Sequence, residues 1–212
     1  MTGNLILFDW DDTLFSKVEY KKNLRSNLAR ICEVSEGEIF IVEDEYFKNL
    51  KKSDDFQIES FVDSFSKKFE KKINLEDFST DKLGIYSMAL FPDVIVVLEN
   101  LKKNNFKLGI NTQGFSALQM IKIKSSGIGH FFDQQYIYIN RNKLDPEFIK
   151  NLPNGATIID DKEEVLKTLN VTGRFNIVLI NRNNDEKTDE ITTVRNLTEF
   201  ADLVKRNKKD KN

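Results

Sequence analysis

Short apolar runs bounded by polar residues recur along the chain: Leu5-Ile6-Leu7-Phe8, Leu108-Gly109-Ile110, Tyr136-Ile137-Tyr138-Ile139, Thr157-Ile158-Ile159 and Ile177-Val178-Leu179-Ile180. Runs of this length, rich in Ile, Leu and Val, predict strands buried on both faces of a parallel sheet. Between the later runs the apolar positions fall at helical spacing: Val94, Val97, Leu98 and Leu101; Leu118 and Ile121; Val165, Leu166 and Leu169. Alternating strand and helix predicts a doubly wound α/β sheet.

The stretch from Ser16 to Ala89 breaks this rhythm, with helical stripes and no convincing strand. Tyr20, Leu24, Leu28 and Ile31 form one stripe; Ile39, Val42, Tyr46 and Leu50 a second; Ile58, Phe61, Val62, Phe65 and Phe69 a third; Leu75 to Leu90 a weaker fourth. An all-helical module spanning 16–89 is therefore expected inside an α/β domain formed by 1–15 and 90–212, with hinges near Phe15-Ser16 and Leu90-Phe91-Pro92. The i, i+4 spacing of Phe61, Phe65 and Phe69 is that of a packed helix face rather than a ligand box. The charged tail from Lys205 to Asn212 is expected to lack structure.

Composition narrows the chemistry. Among 212 residues there are 34 Asp and Glu and 32 Lys and Arg, but one histidine, His130, and one cysteine, Cys32. Zinc sites of several His or Cys ligands, iron–sulfur clusters and internal disulfides are thereby excluded, and catalytic work falls to carboxylates. His130, ahead of Phe131-Phe132, is read as a surface or packing residue, and Cys32, closing an apolar stripe, as buried and inert. The formal net charge of −2 gives no electrostatic ground for nucleic-acid or bilayer binding. No run approaches the roughly 18 apolar residues of a membrane span, and no basic leader precedes the first strand. A cytoplasmic protein is expected, with its oligomeric state open.

The acids are concentrated where an α/β sheet places its ligands, beyond the carboxyl ends of the strands. The first strand runs into Asp9-Trp10-Asp11-Asp12-Thr13-Leu14. Asp9 and Asp11, two apart on an extended chain, project to the same side. Clustered carboxylates cost several kcal/mol to bury unless a cation or hydrogen-bond donors compensate, and a divalent metal is an economical answer. Read by itself, a DxD after a strand also fits the metal grip of a glycosyltransferase, or a helix cap. The second strand ends in Asn111-Thr112-Gln113-Gly114, where a hydroxyl, an amide and backbone N–H groups suit a phosphate oxygen. After the third comes Asn142-Lys143-Leu144-Asp145-Pro146-Glu147, and after the fourth a second acidic pair, Asp160-Asp161. Acid pair, hydroxyl, lysine and acid pair, in that order and all at strand ends, form one constellation.

This order resembles the haloacid dehalogenase superfamily, which is mostly phosphatases. Its first motif, hydrophobics then DxDxT and an apolar residue, matches Asp9 to Leu14; its second matches Thr112; its third, a lysine often within K-P-D-P-E, matches Lys143; its fourth, an acidic pair, matches Asp160-Asp161. The resemblance covers the core and implies a Rossmann-like α/β fold with a helical cap of the C1 type over 16–89. Two departures stand out. Asp12 occupies a position where glycine is frequent, and the fourth motif is Asp160-Asp161 rather than Gly-Asp, so either Asp160, acting with Glu164, or Asp161 is the metal ligand.

What the resemblance implies is a Mg²⁺-dependent phosphatase acting on a small phosphorylated metabolite. Asp9 would attack phosphorus, Asp11 would serve as acid and base, and Mg²⁺ would be held by Asp9, the Asp11 backbone carbonyl and Asp161 or Asp160. Thr112, Gln113 and Lys143 would hold phosphate oxygens, and Lys17, Tyr20 and Lys21 are candidates to face substrate from the cap. Transfer to a sugar hydroxyl on the same aspartyl-phosphate, or a catalytically silent binding role, are the alternatives. A receiver domain is disfavoured by the helical insert after the first strand, and a glycosyltransferase by Thr112 and Lys143.

Overall fold

The computed structural model describes residues 4–51, 55–182 and 190–209. Five strands take the apolar runs: β1 (Leu5–Phe8), β2 (Lys107–Gln113), β3 (Ile137–Asn140), β4 (Thr157–Asp160) and β5 (Asn176–Ile180). A two-residue strand, β6 (Thr193–Val194), completes a six-stranded sheet in the order β3-β2-β1-β4-β5-β6. Every pairing is parallel, with Leu7 opposite Gly109 and Ile158. Parallel strands must be covered on both faces, and the central ones are: Leu5, Ile6, Leu7, Phe8, Leu108, Ile110, Ile158 and Ile159 are buried. On one face Leu5, Leu7, Ile158 and Leu179 pack with Ile149 of α7 (Pro146–Lys150) and Val165, Leu166 and Leu169 of α8 (Glu163–Val171). On the other, Phe8 meets the rings of Phe132 and Phe200, the latter from α9 (Leu197–Lys209), which lies against α5 (Val94–Lys103). The doubly wound α/β reading stands, with β6 added; two residues are too few to leave a periodic signal. The chain remains helical through Lys209, so most of the expected unstructured tail is helix, while 210–212 lie outside the described residues.

Backbone contacts divide the chain into two compact units, 1–15, 91–113 and 130–212 in the first and 16–90 and 114–129 in the second. The sheet belongs to the first. The second holds α1 (Lys17–Cys32), α2 (Glu36–Asn49) and α3 (Ile58–Phe69), whose stripes bury Tyr20, Leu24 and Leu28, then Ile39 and Val42, then Phe61, Val62 and Phe65. Ser16 caps α1 by accepting from the Glu19 N–H at 3.2 Å, and Ser35 with Glu38 forms a capping box on α2. Cys32 is buried, and burial pushes its thiol up. His130 is exposed, its ring tilted against that of Phe131. The expected fourth helix is a four-residue α4 (Glu76–Ser79) and a short 3-10 turn (Ser87–Ala89). Phe78 is buried from α4, and Ile85 and Tyr86 from irregular chain, where the Tyr86 hydroxyl donates to the Phe78 carbonyl at 2.6 Å and Asp81 accepts from the Tyr86 N–H at 2.7 Å.

One boundary differs from the sequence expectation. Leu90 and residues 114–129, carrying α6 (Ser116–Ser125), group with the helical unit rather than with the sheet. Asp55 accepts from the Ala117 N–H at 3.1 Å, Ser125 donates to the Ser79 carbonyl at 3.1 Å, and Phe115 packs against Phe47. The helix turns Gln119, Lys122 and Ile123 inward, not Leu118 and Ile121, and the Lys122 ammonium lies 5.1 Å over the ring of Tyr20.

Candidate active site

The strand order sets the location. From β1 the chain adds β2 and β3 on one side and then crosses to β4 on the other, so the sheet's switch point lies between the carboxyl ends of β1 and β4, where open α/β sheets bind ligands. Asp9 directly follows β1 and ties to β4 through its N–H, which donates to the Ile159 carbonyl at 2.9 Å. Asp160 ends β4 and Asp161 follows it. Thr112 lies at the carboxyl end of β2 and Gln113 is its last residue.

Lys143 arrives from the turn after β3. Asn140 and Asn142 shape that turn by accepting from the Asn142 and Leu144 N–H groups, each at 3.0 Å, and Asp145 caps α7 by accepting from the Glu147 N–H at 2.9 Å. These side chain to backbone bonds leave the lysine directed inward. Its side chain is 1% exposed; the ammonium donates to Asp9 Oδ1 and, at 2.6 Å, to Asp160 Oδ2. Asp160 Oδ1 accepts from the Lys162 N–H at 2.9 Å, so both oxygens of Asp160 are engaged. Carboxylate oxygens of Asp9, Asp160 and Asp161 lie within 4.8 Å of one another.

Three carboxylates facing one ammonium leave two negative charges to be matched when all are ionised. Burial pushes the Asp9 carboxyl well above the usual range; Lys143 opposes this, while the neighbouring Asp160 and Asp161 add to it. Burial alone would lower the Lys143 ammonium, but Asp9 and Asp160 outweigh it and hold it above its ordinary value. An all-oxygen, anionic, largely dry donor set of this kind fits a hard divalent cation.

The turn after Asp9 is closed by its own backbone. The Leu14 and Phe15 N–H groups donate to the Trp10 carbonyl at 3.0 and 3.1 Å, and the Asp12 N–H donates to the Phe15 carbonyl at 2.6 Å. Asp12 adopts φ 62°, the left-handed region that glycine enters most readily. Asp11, half-buried, sits between these constraints. Of the residues expected in the site, the structure gathers Asp9, Lys143, Asp160 and Asp161, with Thr112 buried at the end of the neighbouring strand. Gln113 and Glu164 are exposed, and the carboxylate of Asp11 is not part of the three-acid group among the described residues. Of the cap candidates, Tyr20 is buried and stacked on Tyr86, whereas Lys21 is exposed.

Sequence reasoning missed Arg182. It follows β5 at the same end of the sheet, donates to the Thr13 carbonyl from Nε (3.1 Å) and Nη2 (2.8 Å), and pairs with both oxygens of Asp93. Its position past a strand's carboxyl end was the available signal; the spacing to Thr13 and Asp93 gave none.

Residues 4–174 match the haloacid dehalogenase-like hydrolase family. A glyceraldehyde 3-phosphate phosphatase of Methanocaldococcus jannaschii is 25% identical over 97% of this chain and 98% of its own length. Among solved structures, a HAD phosphatase from Thermococcus onnurineus superimposes with a TM-score of 0.59 at 22% identity, over 95% of this chain and 97% of that one. The HAD-hydrolase YfnB of Bacillus subtilis, solved bound to magnesium, gives 0.60 at 17% identity, over 96% and 99%.

Proposed function

The chain belongs to the haloacid dehalogenase-like hydrolases, and from that premise we propose that it hydrolyses the phosphate monoester of a small metabolite through an aspartyl-phosphate on Asp9. The observation that carries this reading is the buried contact of Lys143 with both Asp9 and Asp160, with Asp161 alongside. Monoester hydrolysis demands a placed nucleophile and neutralised charge more than covalent ingenuity. The printed names of the relatives support the reading: a phosphatase of a small phosphorylated metabolite at 25% identity, and a magnesium-bound hydrolase of the same fold.

In the first half-reaction an Asp9 carboxylate oxygen attacks phosphorus in line, the bond to the leaving oxygen breaks, and Asp11 gives that oxygen a proton. In the second, Asp11 takes a proton from water, the water oxygen attacks phosphorus, and the bond to Asp9 breaks to release phosphate. Lys143 favours the ionised form of Asp9 against the burial that opposes it, and orients the carboxylate; Thr112, with Gln113, holds phosphate oxygens at the end of β2. Mg²⁺ would be held by Asp9, the Asp11 backbone carbonyl and Asp161, and would supply the positive charge that makes Asp9 and the phosphate tolerable neighbours. Asp160, with both oxygens engaged by Lys143 and the Lys162 N–H, acts chiefly as the lysine's anchor and only secondarily on the metal. Residues 16–89 are assigned the role of a cap module that chooses the substrate.

The test is Mg²⁺-dependent phosphate release from p-nitrophenyl phosphate and a panel of phosphorylated metabolites. Asp9→Asn should lose activity by at least about 10³-fold while keeping its thermal midpoint. Activity persisting in that variant overturns the nucleophile assignment.

A further inference from the structure

The turn that carries Asp11 is held from outside by a residue far away in sequence. Within the Trp10–Phe15 turn the backbone bonds described above fix the Trp10 and Phe15 carbonyls. The Thr13 carbonyl is gripped by the Arg182 fork through Nε and Nη2. The remaining guanidinium donors engage Asp93, with Nη1 to Oδ2 at 3.3 Å and Nη2 to Oδ1 at 3.1 Å. Asp93 is itself fixed, because Oδ2 also accepts from the Leu197 N–H at 2.8 Å at the start of α9. The guanidinium carbon lies 3.9 Å over the centre of the Phe91 ring, and the Phe91 N–H donates to the Leu14 carbonyl at 3.1 Å. A planar, bidentate and stacked arrangement of this kind fixes position and direction together, which a lysine cannot reproduce.

We infer that Arg182 is a positioning residue for Asp11: it locks the Trp10–Phe15 turn so that the Asp11 carboxyl is held where the leaving oxygen departs. Asp11 lies in a turn whose Asp12 is in a conformation unfavourable to most side chains, so the turn needs an external hold to keep one geometry. Arg182 itself touches no reacting atom. The catalytic half of this inference rests on the aspartyl-phosphate reading; the geometric half does not.

The chain's single tryptophan, Trp10, sits in this turn, fully buried against Phe15 and Phe132, so its fluorescence reports the turn without any assay of activity. In Arg182→Lys, with far-UV circular dichroism unchanged, acrylamide quenching of Trp10 should rise at least about twofold. Quenching equal to that of the wild type overturns the clamp, whatever the enzyme does. For catalysis, kcat/KM reports the step in which the leaving group departs, and an acid matters most for a poor leaving group. Arg182→Lys should therefore lose on the order of tenfold in kcat/KM on an alkyl phosphate, against less than about threefold on p-nitrophenyl phosphate. Asp11→Asn should show the same skew, and the double variant should be no worse than Asp11→Asn alone. Equal losses on both substrates, or additive losses in the double variant, would reduce Arg182 to a stabilising residue and overturn the inference. Should Arg182→Lys not fold, Asp93→Asn, which weakens the same fork, carries both comparisons with the same expected skew. A wild-type protein without phosphatase activity would sink the aspartyl-phosphate reading and leave the quenching result to decide the clamp.

Discussion

At Asp12 a charged side chain occupies a backbone conformation, φ 62°, that L-residues adopt at a cost. Asp tolerates it better than most because its short polar side chain suits left-handed turns, and a β-branched residue suits it least. Asp12→Gly should therefore hold or raise the thermal midpoint, while Asp12→Val should lose about 1–2 kcal/mol in urea unfolding; equal midpoints for the two variants would show that φ is not what constrains the position. The resemblance had already marked Asp12 as standing where glycine is frequent, and the torsion supplies the physical reason. Asp9 and the Asp160-Asp161 pair could be located because each directly follows an apolar run, and Thr112 and Lys143 because they come shortly after one; a strand's carboxyl end is a position that can be read from periodicity. The division of labour between Asp160 and Asp161 was not legible, since it depends on which carboxylate receives the Lys143 ammonium and the Lys162 N–H. Arg182 was missed for the same reason: its partners, a carbonyl at Thr13 and a carboxylate at Asp93, are brought to it only by the folded sheet.

Among the elements, β2 has a glycine at its centre, which by itself weakens a strand. Gly109 is there because the chain entering β3 crosses it closely: a Cβ would stand 2.5 Å from the Tyr136 carbonyl oxygen and 2.8 Å from Leu7 Cδ2. One contact is backbone and cannot swing aside, so Gly109→Ala should destabilise by about 1–3 kcal/mol, read as a lower urea midpoint at unchanged slope; a neutral result would mean that β2 and the approach to β3 shift apart at little cost. The central strands could be recognised from sequence because burial on both faces forces continuous apolar runs. Helix phase was harder. In α6 the inward positions are Gln119, Lys122 and Ile123, and a lysine whose stem is packed and whose ammonium lies over a tyrosine ring breaks the link between polarity and exposure. Between Leu75 and Leu90 the residues Phe78, Ile85, Tyr86 and Ala89 are buried without a long helix, because Asp81 and the Tyr86 hydroxyl satisfy backbone groups that a helix would have satisfied itself.

For the molecule as a whole, three carboxylates at the switch point would couple stability to any cation they hold. If Mg²⁺ is bound only by the folded chain, it should raise the thermal midpoint by mass action, by about 2.7 kcal/mol at about 100 times Kd. Asp161→Asn should abolish that rise and, without Mg²⁺, be no less stable than the wild type, because Asp161 repels the buried Asp9. A wild-type midpoint indifferent to Mg²⁺ would count against the metal site. Among the described residues no helix is long and apolar enough to cross a membrane. The division into two units was harder to read than the sheet, since residues 114–129 follow a sheet strand in sequence yet share contacts with 16–90. The position of β1 has a consequence in time. Its partners are residues that are synthesised much later: Leu5 meets Lys107, and Ile6 meets Thr157. On the ribosome the strand that delivers Asp9 must wait, apolar and unpaired, while the helical stretch emerges, and then paired on one side only until β4 appears. Long-range parallel pairing of this kind is intrinsically slow and exposes apolar segments to aggregation. Of the six strands, the one that delivers Asp9 gains its second neighbour only when β4 is made, so a nascent chain that stalls before residue 157 carries Asp9 without the strand that brings Asp160 beside it.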